Sequence, residues 1–198
     1  RKVTYDRNKD FERKNWDNFH ADWDDISNYY SWCLKWLRES KRILKPNGSI
    51  FVCGTYHNIF DVGIALRKLG FYIVTNIAWC IPNAFPNLAM QKPISANQSI
   101  LWARPNQKVT HYYDKEAAKR YNDGKNIRDY WLINNDTVAG KLWKHPSKKP
   151  VDVVQRAIDI TLPKEDTVTV LDYFAGSGTT GVAVLRLKKQ YGITINTA

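Results

Sequence analysis

Val168 to Lys189 reads "VTVLDYFAGSGTTGVAVLRLKK", and its hydrophobic period changes in the middle. Apolar residues first alternate, as along a strand, then the glycines intervene, and the remainder runs at helical spacing. Strand, glycine turn and helix in that order indicate an α/β sheet. Ligands of such sheets sit at the carboxyl ends of the strands, where a glycine turn lets the backbone come close and the next helix presents unpaired N–H groups. "FAGSGTT" has no lysine of a phosphate-binding loop and is shorter than G-x-G-x-x-G, so it is neither of those nucleotide motifs. By itself it fits a ligand loop or a tight bend that binds nothing. Asp172, at the end of the strand, can accept hydrogen bonds from the loop or only cap the turn.

The rest of the chain supports the same fold class. From Ile26, apolar residues including Trp32, Cys33, Trp36, Leu37 and Leu44 recur at helical spacing until "KPNG" stops them. "SIFVCG" at 49–54 reads as a buried strand. A second helix carries Ile59, Val62, Leu66 and Leu69 on one face and ends at Gly70. "FYIVTNIAW" at 71–79 and "QSILWAR" at 98–104 are strands with no helix between them, hence antiparallel, with Trp79 and Trp102 in the core. A helix is expected over 151–162, and "YGITIN" forms a last strand. Residues 1–25 lack a period and read as an arm, and 105–145 read as too polar for core. The whole of 1–198 is expected to form one domain, with helices on both faces of its sheet.

Composition narrows the function classes. A length of 198 residues with 43% hydrophobic content suits a folded domain, and no apolar run reaches the ~18 residues of a membrane span. Cys33, Cys53 and Cys80 are widely spaced in apolar runs, as reduced thiols of a cytoplasmic protein would be, and no metal-ligand spacing is present. The basic N-terminus has no apolar segment of a signal peptide. A net charge of +11 favours a polyanion partner or a solvated basic surface, and composition does not separate the two.

The complete string "LDYFAGSGTT" resembles the D-P-F-x-G-S-G-T-T motif of the amino-methylating DNA methyltransferases. "KHPSKKP" at 144–150 resembles that family's K-H-P-T-Q-K-P. "LKPNGSIFVCGTYHNIFDVGIALRKLGF", "NIAW", "FPNL", "ILWAR", "HYY" and "NDGK" follow one another as in the β-class adenine enzymes, the DpnA-like group of a GATC-recognising restriction system. The resemblance covers about residues 14–195. It implies a Rossmann-like methyltransferase sheet that uses S-adenosylmethionine to methylate adenine N6 in DNA.

Carried over residue by residue, it puts Asp172, Phe174, Gly176, Ser177, Gly178 and Thr179 in the cofactor loop, and His145, Ser147 and Lys149 in a second cofactor segment. Between Ile81 and Lys144 it implies the target-recognition region, where Lys92, Arg104, Lys108, Lys119, Arg120, Lys125 and Arg128 would hold DNA, and Tyr112, Tyr113, Tyr121 or Asn87 would approach bases or fill the place of an extruded one. Trp16 would lie beside the catalytic pocket. A homodimer or a partner subunit is compatible with this assignment.

The family's catalytic D-P-P-Y string is absent from these 198 residues; in the family's order it would stand just upstream of Arg1. The expected sheet therefore lacks the strand that leads into D-P-P-Y and that "SIFVCG" and "VTVLDYF" would flank. Other positions also depart from the pattern. Tyr173 replaces the motif's proline, Lys148 its glutamine, Ser95 and Gln98 a His and a Glu, and Thr194 or Asn196 stands where a ribose-binding carboxylate is usual. These changes leave open a catalytically inactive, DNA-binding or regulatory member of the family.

Overall fold

The computed structural model describes residues 28–87, 90–136, 148–163 and 167–197. The N-terminal arm, Ile26 and Trp16 lie outside the described residues. Helix α1 spans Tyr29–Ile43 and turns Cys33 and Leu37 fully inward. Helix α2, Ile59–Lys68, buries Ile59, Val62, Ala65 and Leu66, and Gly70 follows with a φ of +72°. Each fully buried leucine contributes about 1.5–3 kcal/mol relative to exposure.

Strands β1 (Ile50–Gly54), β2 (Tyr72–Cys80), β3 (Asn97–Arg104) and β4 (Tyr130–Leu132) form one sheet in the order β1-β3-β2-β4. β3 runs antiparallel to both β1 and β2, as the missing crossover between β2 and β3 predicts, and β4 is parallel to β2. Alternation along β3 then feeds two cores. Leu101 and Ala103 join α1 and α2 on one face, whereas Ile100 and Trp102 meet Val153, Ala157 and Ile160 on the other. Trp79 and Trp102 are buried in this second core, as expected from their strands.

Helix α4, Val151–Asp159, and helix α5, Thr179–Tyr191, pack on each other beside a parallel pair, β5 (Thr167–Val170) and β6 (Thr194–Thr197). Leu162, Val184, Leu187 and Ile195 form the core of this second unit. β1 and β5, the two strands expected to flank a further parallel strand, are each at a sheet edge. Both are half-exposed rather than buried.

The polar segment after β3 needs correction. It contains helix α3, Lys115–Arg120, and strand β4, and it buries Ala117, Ala118, Trp131 and Ile133. Asp114 starts α3 by accepting hydrogen bonds from the backbone N–H groups of Glu116 and Ala117, at 3.0 and 2.9 Å. The indole of Trp79 donates to the carbonyl of Ile133 at 2.8 Å and fastens the segment to the sheet. A few apolar residues spaced among charges make too weak a period to read as an element, yet they suffice when the sheet already supplies the opposite wall.

Candidate functional site

β5 stops at Val170, and the chain turns through Leu171 to Gly178 into α5. Asp172 organises this turn. One carboxylate oxygen accepts from the backbone N–H of Phe174 at 2.9 Å and the other from the hydroxyl of Thr180 at 2.5 Å. Gly176 and Gly178 adopt φ of +50° and +74°, a left-handed conformation that costs other residues ~1–2 kcal/mol. A Cβ on Gly178 would meet nothing within 4 Å, so backbone conformation alone requires glycine there. Tyr173, Phe174, Ala175, Gly176 and Gly178 are exposed, and the first N–H groups of the 13-residue helix α5 open beside them.

Thr179 ties the loop to the segment before α4. Its buried hydroxyl donates to the carbonyl of Lys149 at 3.2 Å and lies 3.0 Å from the hydroxyl of Ser177. Pro150 precedes α4, where no N–H partner is needed. The Lys149 ammonium also acts on Cys53 of β1: burial pushes that thiol up, and the lysine charge opposes the shift. The Lys149 segment thus touches the glycine loop through its backbone, and its charge acts on β1. His145 and Ser147 lie outside the described residues. Lys148 faces elsewhere, 2.8 Å from the carboxylate of Asp136. It lines a cleft of about 910 Å³ with Asn83, Arg156 and Arg186, and no residue of the 172–179 loop is part of that lining.

Aromatic rings not assigned to this site from the sequence form its wall. Phe174 lies 5.5 Å from Trp32 and 5.4 Å from Trp36, edge-on to the latter. Tyr173 packs 6.5 Å from Trp36, and its hydroxyl donates to Ser40 Oγ at 2.8 Å. The spacing of Trp32 and Trp36 already put them on one helical face, but only the meeting of α1 with the loop shows what that face meets. α1 packs through Cys33 and Leu37 into the core that Leu101 and Ala103 of β3 share. Phe174, Trp32 and Trp36 offer π-electron density that favours a cation, and the helix N-terminus favours an anion. The loop thus has polarity suited to a zwitterion bearing a further positive charge.

The basic residues of 81–144 divide into two sets. Lys92, Lys108, Lys125 and Arg128 are exposed, with Lys92 donating to Tyr56 Oη at 2.9 Å and Arg128 to Tyr130 Oη at 2.8 Å. Lys119 pairs with Glu116 at 2.7 Å on the surface of α3. Arg104 is occupied within the fold, contrary to the expectation that it faces DNA, whereas Arg120 is exposed while paired. Arg104 is 9% exposed and donates to the carbonyls of Val109 and Gln107 at 2.9 and 3.3 Å, which pins the turn after β3. Arg120 donates to the buried carboxylate of Asp159 at 3.0 Å and to Tyr191 Oη.

The aromatic candidates shift as well. Tyr121 also donates to Asp159, at 2.7 Å, and Tyr113 packs against Trp102 at 5.8 Å. Asn87 spends its amide on the carbonyl of Lys92 within its own loop, at 2.7 Å. Among the described residues no group of His, Cys, Asp or Glu could hold a metal ion, and no helix is long and apolar enough to cross a membrane. All three cysteines are free thiols.

A family model described as DNA methylase matches residues 3–197. The Type II methyltransferase M2.LlaDCHI of Lactococcus lactis subsp. cremoris is 41% identical over 177 residues, covering 86% of this chain and 65% of that protein. M2.DpnII of Streptococcus pneumoniae is 40% identical with the same coverage. The chain thus spans a little under two thirds of the length of these relatives. Among solved structures, the M1.HpyAVI–SAM complex aligns with a TM-score of 0.64 at 24% identity, covering 83% of this chain and 74% of that one. The cytosine-N4-specific PvuII DNA methyltransferase aligns at 0.68 and 19% identity, covering 87% and 66% respectively.

Proposed function

Because this chain belongs to the N6/N4 DNA methylase family, we propose that its 172–179 loop holds S-adenosylmethionine and that the protein it represents methylates adenine N6 in DNA. The observation that carries this proposal is the joining of the glycine turn to the Lys149 segment through Thr179, with an aromatic wall opposite. S-adenosylmethionine supplies a methyl group on a positively charged sulfur. Exposed N–H groups at the start of α5 suit the carboxylate of its amino-acid part, and Phe174 with Trp32 and Trp36 suits the charged sulfur. Asp172 keeps the loop in shape by occupying its own oxygens with Phe174 and Thr180. Lys149, with His145 and Ser147, completes the cofactor segment.

DNA is held by the basic residues that reach the surface, Lys92, Lys108, Lys119, Arg120, Lys125 and Arg128, each phosphate contact releasing condensed counterions. Adenine is preferred over cytosine because the order of motifs in this chain resembles that of the adenine enzymes, whereas the cytosine-specific structure, at 19% identity, supports the fold alone. A non-catalytic, DNA-binding member is the second reading, favoured by the departures from the family pattern within the chain at Ser95, Gln98 and Lys148. The two readings part in one assay: full-length protein with tritiated S-adenosylmethionine and unmethylated DNA. Transfer of label to adenine supports the enzyme. Tight DNA binding with neither transfer nor calorimetric cofactor binding supports the second reading and ends the first.

A further inference from the structure

The loop between β2 and β3 carries the two most exposed large apolar side chains of the described residues, Phe85 at 83% and Met90 at 89%. Neither belongs to the basic and aromatic set read from the sequence. The loop is nevertheless well fastened around Phe85. At its base the N–H of Ile81 donates to the carbonyl of Ala96 at 2.7 Å. Asn83 exchanges two hydrogen bonds with Asn135, through its amide at 2.8 Å and its carbonyl oxygen at 2.7 Å. On the far side of Phe85, Asn87 holds the carbonyl of Lys92, and Met90 donates to the carbonyl of Asn87 at 3.1 Å. One exposed ring is ordinary at a protein surface, but two large apolar side chains, Phe85 and Met90, held out on one fastened loop suit a partner that buries them.

Topology gives the direction in which the ring is presented. β1 and β2 are parallel, both antiparallel to β3, so the loop leaves the sheet at the carboxyl ends of the strands. The same edge carries Tyr56, just past β1, which receives the Lys92 ammonium. The loop with its projecting ring therefore leaves the sheet beside Tyr56, whose hydroxyl lies 2.9 Å from the Lys92 ammonium.

We propose that Phe85 enters the base stack of bound DNA and fills the gap left by the extruded target base, with Lys92 against the neighbouring phosphate. This rests on the reading of the protein as a DNA methyltransferase, since chemistry on a base requires taking it out of the stack. Apolar side chains wedged between base steps compensate part of the lost stacking, and a flat ring does so without sequence preference. The positive charge of the chain and of Lys92 favours DNA over an apolar protein surface as the occupant.

The experiment uses full-length protein and a GATC duplex with 2-aminopurine at the adenine, whose fluorescence rises on unstacking. Wild type, Phe85→Ala and Phe85→Trp are compared for the fluorescence rise, for duplex affinity across salt concentrations and for sedimentation without DNA. Phe85→Ala sits on the surface and leaves the fold intact. Its fluorescence rise is expected to be lost while the salt dependence of binding is kept, and Phe85→Trp is expected to retain the rise. An abasic target, already open, is expected to restore the affinity of Phe85→Ala to that of wild type. Equal rises for wild type and Phe85→Ala overturn the wedge and leave the methyltransferase reading standing. A change in sedimentation without a change in fluorescence overturns it in favour of a protein interface. No rise with wild type overturns the wedge, and no methyl transfer by wild type to unmethylated genomic DNA, which keeps every adenine N6, removes the methyltransferase reading as well.

Discussion

Asp159 ends α4 with its side chain 1% exposed, and three side chains from two other elements converge on it. Tyr121 donates at 2.7 Å, Tyr191 at 2.5 Å and Arg120 at 3.0 Å. One carboxylate therefore joins α3, from the proposed recognition region, to α4 and α5, whose N-terminal ends bear Pro150 and the glycine loop. Asp159→Ala leaves two hydroxyls and a guanidinium without their acceptor. Breaking a buried charged pair costs about 3–5 kcal/mol, and the lower half of that range applies because Arg120 keeps nearly half of its side chain in water. Asp159→Asn keeps an acceptor and loses the charge, so about 2 kcal/mol is expected from weakened charge-assisted bonds. Urea unfolding of the full-length protein measures both. Tyr121→Phe and Tyr191→Phe should cost about 1 kcal/mol each and combine non-additively, because they share an acceptor. The same network predicts alkaline behaviour. Desolvation first, and then the bonds to Asp159, raise both tyrosines above the ordinary value of 10.0. Their folded form holds protons that the unfolded chain has released, so stability is full below pH ~10 and declines as pH rises beyond it. The double phenylalanine variant should show a shallower decline, the remainder coming from the raised Tyr112 and Tyr113. An Asp159→Ala loss under about 1 kcal/mol would refute the network as a structural tie.

Gly178→Ala should weaken calorimetric S-adenosylmethionine binding and cost ~1–2 kcal/mol, since the residue is left-handed though uncrowded. Gly181→Ala, inside α5 and equally uncrowded, should instead stabilise the fold by about 0.5–1 kcal/mol in the same unfolding assay. Tyr173→Phe removes the bond to Ser40, worth about 1 kcal/mol, and should raise the cofactor Kd while leaving DNA affinity unchanged in a filter-binding titration. Burial, and then Arg104, lower the His111 pKa from 6.5, so the folded state binds fewer protons than the unfolded one. Stability should fall as pH drops below ~6.5 toward the folded value, and His111→Gln should flatten that slope in thermal melts.

Strong periods made the outer parts of this fold legible. α1, α2, α5 and the three long strands repeat their hydrophobic residues often enough for sequence to place them within a few positions. α3 and β4 escaped because Ala117–Ala118 and Trp131–Ile133 are two short apolar runs divided by a polar, charged stretch, and only contact with the rest of the core buries them. The glycine loop was legible for a different reason. Its left-handed backbone admits few residue types, so conformation wrote itself into composition at Gly176 and Gly178. The roles of single cations were not legible. Arg104 and Lys92 look alike in sequence, yet one is bound by carbonyls across a turn and the other stands at the surface, a distinction set by tertiary neighbours.

Tyr173 draws these strands together. In the motif that this loop resembles, the position holds proline, whose fixed φ stiffens a turn without help from elsewhere. Tyrosine supplies no such restraint, and its presence alone reads as decay. In the structure the restraint comes from outside the loop: the hydroxyl is held by Ser40, itself 2% exposed and bonded to the carbonyl of Trp36, and the ring packs on Trp36. Stiffness has moved from a backbone ring to a side-chain tether. The tether joins the loop to the helix whose tryptophans form the opposite wall, so losing the proline is compatible with a loop kept in shape. Departure from a motif is evidence of lost function only when nothing in the structure takes over what the missing residue did, and at Tyr173 α1 does.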